Sequence, residues 1–209
     1  MVTSAERIKD SLDALAALEP GFGAALARVG YPPPRVREPG YETLLRTIVG
    51  QQVSVAAAAA VWRRLEAELG AGCAPDALLA RDTDSLRACG LSRQKQGYAR
   101  SLAELVTGGA LDLHRLPRDD EAAIAALTRI KGIGRWSAEI YLLFAEGRPD
   151  IWPAGDLAVQ VAIGRILGLP DRPGEKDIRA RAEAWRPHRS AAAIMAWHHY
   201  NSGADMLET

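Results

Sequence analysis

Residues 127–138 read LTRIKGIGRWSA, and this stretch decides the fold. Apolar residues at helical spacing lead into it, which predicts a helix over 121–130 with one buried face. Gly132 and Gly134 then permit a tight turn, because neither carries a Cβ atom. A second helix is predicted to begin at once, over 135–144. The stretch is therefore predicted to be a helical hairpin with a glycine turn.

The turn of this hairpin is predicted to bind phosphate. Backbone N–H groups at the start of the second helix lie at the positive end of its dipole, where an anion is the natural ligand. Ile133, between the two glycines, can pack the helices together. A plain helical hairpin is the alternative, but the spacing resembles the helix-hairpin-helix motif of DNA-binding proteins. By that resemblance the residues that contact DNA are Lys131, Gly132, Ile133, Gly134, Arg135 and Ser137.

The rest of the chain also carries the helical period, and no alternating strand of useful length is present. Residues 3–6 read TSAE, a capping box that opens the first predicted helix. Further helices are predicted over 41–49, 53–69, 76–80, 83–88, 93–106, 157–167, 176–185 and 190–200. The predicted fold class is all-α.

Composition bounds the function without deciding it. The 209 residues are 48% hydrophobic and 25% charged, and 26 basic residues balance 26 acidic ones. A net charge of zero is unusual for a DNA-binding protein, which commonly has a basic face. Cys73 and Cys89 are too few for a disulfide framework or a zinc site. With no secretory signal or membrane-length apolar run, we expect a bacterial-type cytoplasm and no membrane partner. We also expect a monomer.

Residues 152–165, roughly 20 positions beyond the hairpin, read WPAGDLAVQVAIGR. Asp156 opens an apolar helix, and taken alone it is a typical N-cap. An aspartate at this offset also resembles helix-hairpin-helix DNA glycosylases, in particular the 3-methyladenine DNA glycosylase II family. Two further stretches are similar to that family, LLRTIVGQQVSV at 44–55 and WRPHRS at 185–190. The resemblance covers roughly residues 40–200.

This resemblance implies an enzyme that flips alkylated purines out of double-stranded DNA and excises them. Asp156 would be the catalytic carboxylate, which stabilises positive charge on the sugar or orients water. Gln52 would be the wedge that fills the gap left by the flipped base. The base pocket would be formed by Trp136, Ile140, Tyr141 and His188. The substrate would be 3-methyladenine, with 7-methylguanine and related adducts as further candidates.

The resemblance also implies two helical subdomains with a DNA-binding cleft between them. The first would be 41–149, which carries the hairpin; the second would be 1–40 with 150–209, which carries Asp156 at the cleft edge. The β-domain that precedes these helices in the best-known bacterial form is expected to be absent, since the chain begins with a predicted helix.

No cofactor is expected. No cysteine follows Cys89, whereas the iron–sulfur members have a four-cysteine cluster near the C-terminus. In relatives the hairpin carbonyls can hold a structural cation such as Na⁺ or K⁺, which here would lie at Thr128, Ile130 and Ile133. Lyase-competent members have a Schiff-base lysine where this chain has Trp136, so a monofunctional enzyme is expected. The alternatives are a non-enzymatic protein that binds distorted DNA and a bifunctional glycosylase/lyase for oxidised bases.

Overall fold

The computed structural model describes residues 5–34 and 37–203, so Thr3 and Ser4 of the predicted capping box lie outside the described residues. Across the described residues the chain forms helices and no β-strand, which confirms the all-α prediction. The α-helices are α1 (Ala5–Leu18), α2 (Pro20–Val29), α3 (Tyr41–Gly50), α4 (Val55–Leu69), α5 (Pro75–Leu79), α6 (Thr83–Ala88), α7 (Arg93–Thr107), α8 (Asp120–Thr128), α9 (Arg135–Phe144), α10 (Leu157–Ile166), α11 (Glu175–Arg181) and α12 (Arg189–Asn201). Short 3-10 turns cover Ala71–Cys73 and Ala182–Trp185.

Two of the predicted helix boundaries that differ from the structure have a clear local reason. The helix predicted over 53–69 begins only at Val55, because Ser54 caps it with extended backbone and a side chain that accepts from the Ala57 N–H. The helix predicted over 176–185 ends at Arg181 and continues as a 3-10 turn.

The chain divides into two compact units, which we call the hairpin unit (Arg37–Tyr141) and the terminal unit (Met1–Val36 with Leu142–Thr209). The predicted domain boundaries were 40/41 and 149/150, whereas the chain divides between residues 36 and 37 and between residues 141 and 142. Residues 148–151 belong to the terminal unit because Ser190 holds them there. Its Oγ donates to the Arg148 carbonyl at 2.6 Å and accepts from the Ile151 N–H at 2.9 Å.

The hairpin unit is built on α7. Helices α3 and α5 both pack against it, and α4 packs against α3. Leu44, Leu45 and Ile48 of α3 are fully buried in this core. Burial of each such side chain contributes about 1.5–3 kcal/mol. The unit therefore holds the end of α3 firmly against α7.

The terminal unit has its own core, in which α10 packs against α12 and α1 against α2. Trp185 meets Phe22 and Trp152 edge-on, at centroid distances of 5.2 and 5.4 Å. At its margin the buried guanidinium of Arg189 forms a bidentate ion pair with Asp150. No helix among the described residues is long and apolar enough to cross a bilayer.

Candidate functional site

The predicted hairpin is present, with α8 and α9 joined by a tight turn. The end of α8 tightens through a bond from the Ile130 N–H to the Leu127 carbonyl at 3.1 Å. The Ile133 N–H then donates to the Ile130 carbonyl at 3.0 Å. Ile130 and Ile133 are both buried, so the apolar residue between the glycines packs in the core as expected.

The two glycines of the turn have different surroundings. Gly132 has a φ of +82°, in the left-handed region that favours glycine. A Cβ atom there would lie 2.2 Å from Cδ2 of Tyr98, an impossible contact. Gly134 has a φ outside that region, and a Cβ atom there would meet no heavy atom within 4 Å. The fold thus requires glycine at 132, whereas Gly134 leaves open space beside the start of α9.

The first turn of α9 faces this open space. The first helical hydrogen bond of α9 runs from the Ala138 N–H to the Gly134 carbonyl at 3.0 Å. The backbone N–H groups of residues 135–137 therefore precede the helical hydrogen bonds of α9. Lys131 and Trp136 are exposed beside it, and Ser137 is half-buried. This end of α9 therefore has the geometry of an anion-binding helix terminus.

Arg135 has a structural partner set that the sequence did not reveal. Its guanidinium donates to Glu121 at 2.8 Å and to the buried carboxylate of Glu139 at 2.9 Å. The hydrogen bond with Glu121, and then Glu139, raise the pKa of the Arg135 guanidinium above its usual range. The side chain thus joins α8 to α9.

An open cavity of about 1020 Å³ lies in the hairpin unit. It brings together five of the predicted site residues: Gln52, Gly132, Trp136, Ser137 and Ile140. Trp136 lies at its lip with 49% of its surface exposed. The remaining lining residues are Arg37, Glu38, Thr43, Arg46, Thr47, Gly50, Gln51, Gln94, Lys95 and Tyr98.

Gln52 occupies the loop between α3 and α4. Its φ is +55°, a left-handed conformation that costs a residue other than glycine roughly 1–2 kcal/mol. Its side chain is exposed. Such strain is concentrated at functional positions in proteins, and here it places an amide side chain at the rim of the cavity.

Tyr141 does not belong to the lining of this cavity. It is buried, and its hydroxyl accepts a hydrogen bond from the Gly40 N–H at 2.7 Å, just before α3 begins. It therefore supports the core of the hairpin unit, and Trp136 and Ile140 are the predicted pocket residues that line the cavity.

Asp156 and His188 both belong to the terminal unit, where each precedes a helix. Asp156 is half-buried with extended backbone, and its Oδ1 accepts from the Val159 N–H at 3.0 Å, so it is the N-cap of α10. The positive end of the α10 dipole stabilises negative charge at this position. His188 precedes α12, and its backbone N–H donates to the Trp185 carbonyl at 2.7 Å.

Several cavity residues were missed in the sequence, notably Gln51, Lys95 and Tyr98. The Nζ of Lys95 donates to the Val49 carbonyl at 2.7 Å, and burial lowers the pKa of this ammonium. Tyr98 lies one turn further along α7. Their spacing along one helix face was a usable signal, but nothing in the sequence shows which element that face contacts.

The carbonyls predicted to hold a cation lie within the hairpin turn. That of Ile130 already accepts the Ile133 N–H, which leaves it one lone pair. Among the described residues no three His, Cys, Asp or Glu side chains cluster as metal ligands. A set of backbone carbonyls fits a hard monovalent cation better than a transition metal.

Comparisons with known proteins identify relatives of this chain. DNA-3-methyladenine glycosylase 1 of Schizosaccharomyces pombe is 35% identical over 77% of this chain and 72% of the relative. DNA-3-methyladenine glycosylase 2 of Escherichia coli is 31% identical over 83% of this chain and 64% of the relative.

Two solved structures share the fold at recognisable identity. A DNA-3-methyladenine glycosidase from Bacillus halodurans matches with a TM-score of 0.83 and 28% identity, over 94% of this chain and 90% of that one. The Schizosaccharomyces pombe 3-methyladenine DNA glycosylase in complex with abasic DNA matches with a TM-score of 0.75 and 31% identity, over 93% and 96%. The family model for HhH-GPD superfamily base excision DNA repair proteins matches residues 45–187, hairpin and Asp156 included. The chain therefore belongs to the HhH-GPD superfamily of base excision DNA repair proteins, as the sequence resemblance predicted.

Proposed function

We propose that this protein is a monofunctional DNA glycosylase that flips alkylated purines, above all 3-methyladenine, out of double-stranded DNA and excises them. The observation that carries the proposal is the likeness, over nearly the whole chain, to 3-methyladenine DNA glycosylases, one of them solved on abasic DNA. 7-Methylguanine and related adducts are further candidate substrates.

The hairpin supplies the anchor in this proposal. The open space beside Gly134 and the N–H groups at the start of α9 suit a DNA phosphate. Such contacts hold the backbone without reading sequence, so they suit an enzyme that must search all DNA. They also need little positive charge, in keeping with the net charge of zero.

The cavity supplies the contacts to the distorted strand. Flipping a base costs a few kcal/mol and is easiest for a damaged or weakly paired base. Gln52, at the rim, would fill the gap that the base leaves. The exposed indole of Trp136 suits an electron-poor alkylated purine, because a cationic ring over an indole gains roughly 0.5–2 kcal/mol.

Asp156 carries the chemistry in this proposal. As the glycosidic bond between C1′ and the base nitrogen breaks, the departing base takes the electron pair and the sugar becomes oxocarbenium-like. A carboxylate held at the start of α10 stabilises that charge or orients the water that adds to C1′. The products are free base and an abasic site, and the reaction calls for no cofactor.

The decisive variant is Asp156→Asn. Asparagine caps helices as well as aspartate, so thermal stability should stay nearly unchanged. Loss of the charge should lower single-turnover base release from methylated DNA at least about 100-fold. Binding to abasic DNA, measured by fluorescence anisotropy, should persist.

The alternatives give different results in the same assays. Tight binding to distorted DNA without base release by the unaltered protein would identify a non-enzymatic DNA-binding protein. A covalent adduct trapped by borohydride would identify a lyase, and Lys95 would then be the amine to replace first. Base release by Asp156→Asn at the unaltered rate would remove Asp156 from the mechanism.

Three further expectations belong to this proposal: a cation at the hairpin, a cytoplasmic location and a monomeric state. The carbonyls of Thr128, Ile130 and Ile133 would hold Na⁺ or K⁺ and stiffen the turn.

The two cysteines bear on the location. Cys73 and Cys89 are buried free thiols, and burial raises the pKa of Cys73 to about 11. Unreactive thiols of this kind fit a reducing cytoplasm, where we place the protein as a monomer.

A further inference from the structure

The loop that carries Gln52 is bonded directly to the hairpin turn. The side-chain Nε2 of Gln51 donates to the Gly132 carbonyl at 2.8 Å, across 81 positions of sequence. Gly132 forms the turn ahead of the phosphate-binding start of α9, and Gln52 follows Gln51. One hydrogen bond thus joins the two parts of the hairpin unit that are proposed to act on DNA.

The start of the same loop is held from another side. The Nζ of Lys95 donates to the Val49 carbonyl in the last turn of α3, where a cation also meets the negative end of the helix dipole. The end of the loop is fixed by Ser54, which caps α4. The loop is therefore braced before and after Gln52 by contacts within the unit.

Helix α7 carries the supports of both loop and turn. Lys95, Tyr98 and Ser101 are spaced three apart on this helix, so Tyr98 is a surface neighbour of both of the others. The Tyr98 ring lies against Gly132, and the Ser101 hydroxyl accepts from the Lys131 N–H at 3.2 Å. Loop and turn are thus mounted on one helix, and Gln51 is the side chain that bonds one to the other.

From this arrangement we propose that Gln51 is a positioning residue that fixes Gln52 relative to the hairpin turn. The gap-filling side chain then enters the duplex at a set distance from the phosphate that the hairpin holds. The left-handed backbone of Gln52 needs such support, because it is unfavourable by itself. This inference rests on the proposed function of the hairpin and of Gln52.

The test variant is Gln51→Leu, which keeps the volume and removes the donor. Because the bond is exposed, the variant should fold with nearly unchanged thermal stability. Base release from 7-methylguanine paired with cytosine should slow about tenfold, because bound DNA excludes the water that replaces this hydrogen bond in the free protein. Release from 7-methylguanine opposite an abasic analogue should change less than about twofold, because flipping there is easier. The fluorescence of 2-aminopurine beside the lesion, which rises on unstacking, should fall in parallel with the paired rate.

A matched control is Gln96→Leu. Gln96 is a buried glutamine of the same unit, and its Nε2 donates to the Leu91 carbonyl at 3.0 Å, away from the cavity lining. Its loss should lower stability and leave the ratio of the two release rates unchanged. A Gln51→Leu variant that behaves like this control would reduce Gln51 to a structural role and overturn the inference.

A double-mutant cycle with Gln52→Ala completes the test. If Gln51 acts through Gln52, adding Gln51→Leu to Gln52→Ala should cause little further loss. A full additional tenfold loss would show that Gln51 acts independently, contrary to the inference. Absence of any base release from methylated DNA by the unaltered protein would instead contradict the proposed function itself, so the two failures are distinct.

Discussion

At the residue scale, Gly132 and Gly134 carry different constraints although both belong to the same turn. The protein itself requires glycine at position 132, because the backbone there is left-handed and the Tyr98 ring leaves no room for a Cβ atom. Gly134 has space for a side chain in the protein alone. The described protein thus places no constraint of its own on residue 134, and under the proposed function a DNA strand at the start of α9 would supply one.

Alanine at each position separates these constraints. Gly132→Ala should lower the free energy of unfolding by about 2–4 kcal/mol, through backbone strain and overpacking. Gly134→Ala should change it by less than about 1 kcal/mol. It should nevertheless weaken binding to abasic DNA about tenfold or more, because a methyl group would stand between the helix start and a phosphate. Denaturant unfolding and anisotropy titration measure the two effects; undiminished binding by Gly134→Ala would argue against a phosphate there.

Residue identity alone did not reveal how Arg135 and Tyr141 are used. A basic residue at a helix start reads as a phosphate contact, and an aromatic residue near Trp136 reads as a pocket wall. The structure instead engages Arg135 with two carboxylates and Tyr141 with the Gly40 N–H. Both partners come from tertiary packing, which no local pattern encodes.

At the element scale, helix boundaries followed closely from apolar period, caps and glycine turns. Helix α9 was predicted with the bounds it has, Arg135–Phe144, and α6 likewise, Thr83–Ala88. The contacts between elements were not predictable, because α7 meets the α3 loop and the hairpin turn through residues far apart in sequence. The sequence therefore predicted the cavity residues that come from the hairpin and α9, but not those that come from α7.

The ion pairs between α8 and α9 allow a prediction at this scale. Arg135→Ala removes the cation that faces the buried carboxylate of Glu139, and it should lower the free energy of unfolding by about 1–3 kcal/mol. Glu121→Ala removes the exposed partner of the same arginine and should cost less than about 1 kcal/mol. Adding Glu139→Gln to Arg135→Ala should recover part of the loss. Equal losses in Arg135→Ala and Glu121→Ala would contradict a dominant role for Glu139.

At the scale of the whole molecule, 26 basic and 26 acidic residues cancel. A protein that binds DNA through a broad basic face releases many counterions, and its affinity falls steeply with salt. Here the proposed anchor is a helix terminus whose donors are backbone N–H groups, so few counterions should be released.

The salt dependence of DNA binding should therefore be shallow. A plot of log affinity against log salt concentration should have a slope of about −2 to −4, as for two to four phosphates neutralised. Anisotropy titrations with abasic DNA between about 50 and 200 mM salt would measure it. A slope of about −6 or steeper would reveal a basic face that the net charge conceals, and the hairpin would then be one contact among many.

The N-cap role of Asp156 has an evolutionary consequence. The carboxylate that is proposed to do the chemistry also caps α10, because it accepts a hydrogen bond from a backbone N–H in the first turn of that helix. Asparagine caps helices equally well. Codons for the two amino acids differ by one base. A single nucleotide change could therefore silence catalysis while leaving a stably folded protein, so a lineage could drift from repair enzyme to damage-binding protein without passing through an unfolded intermediate.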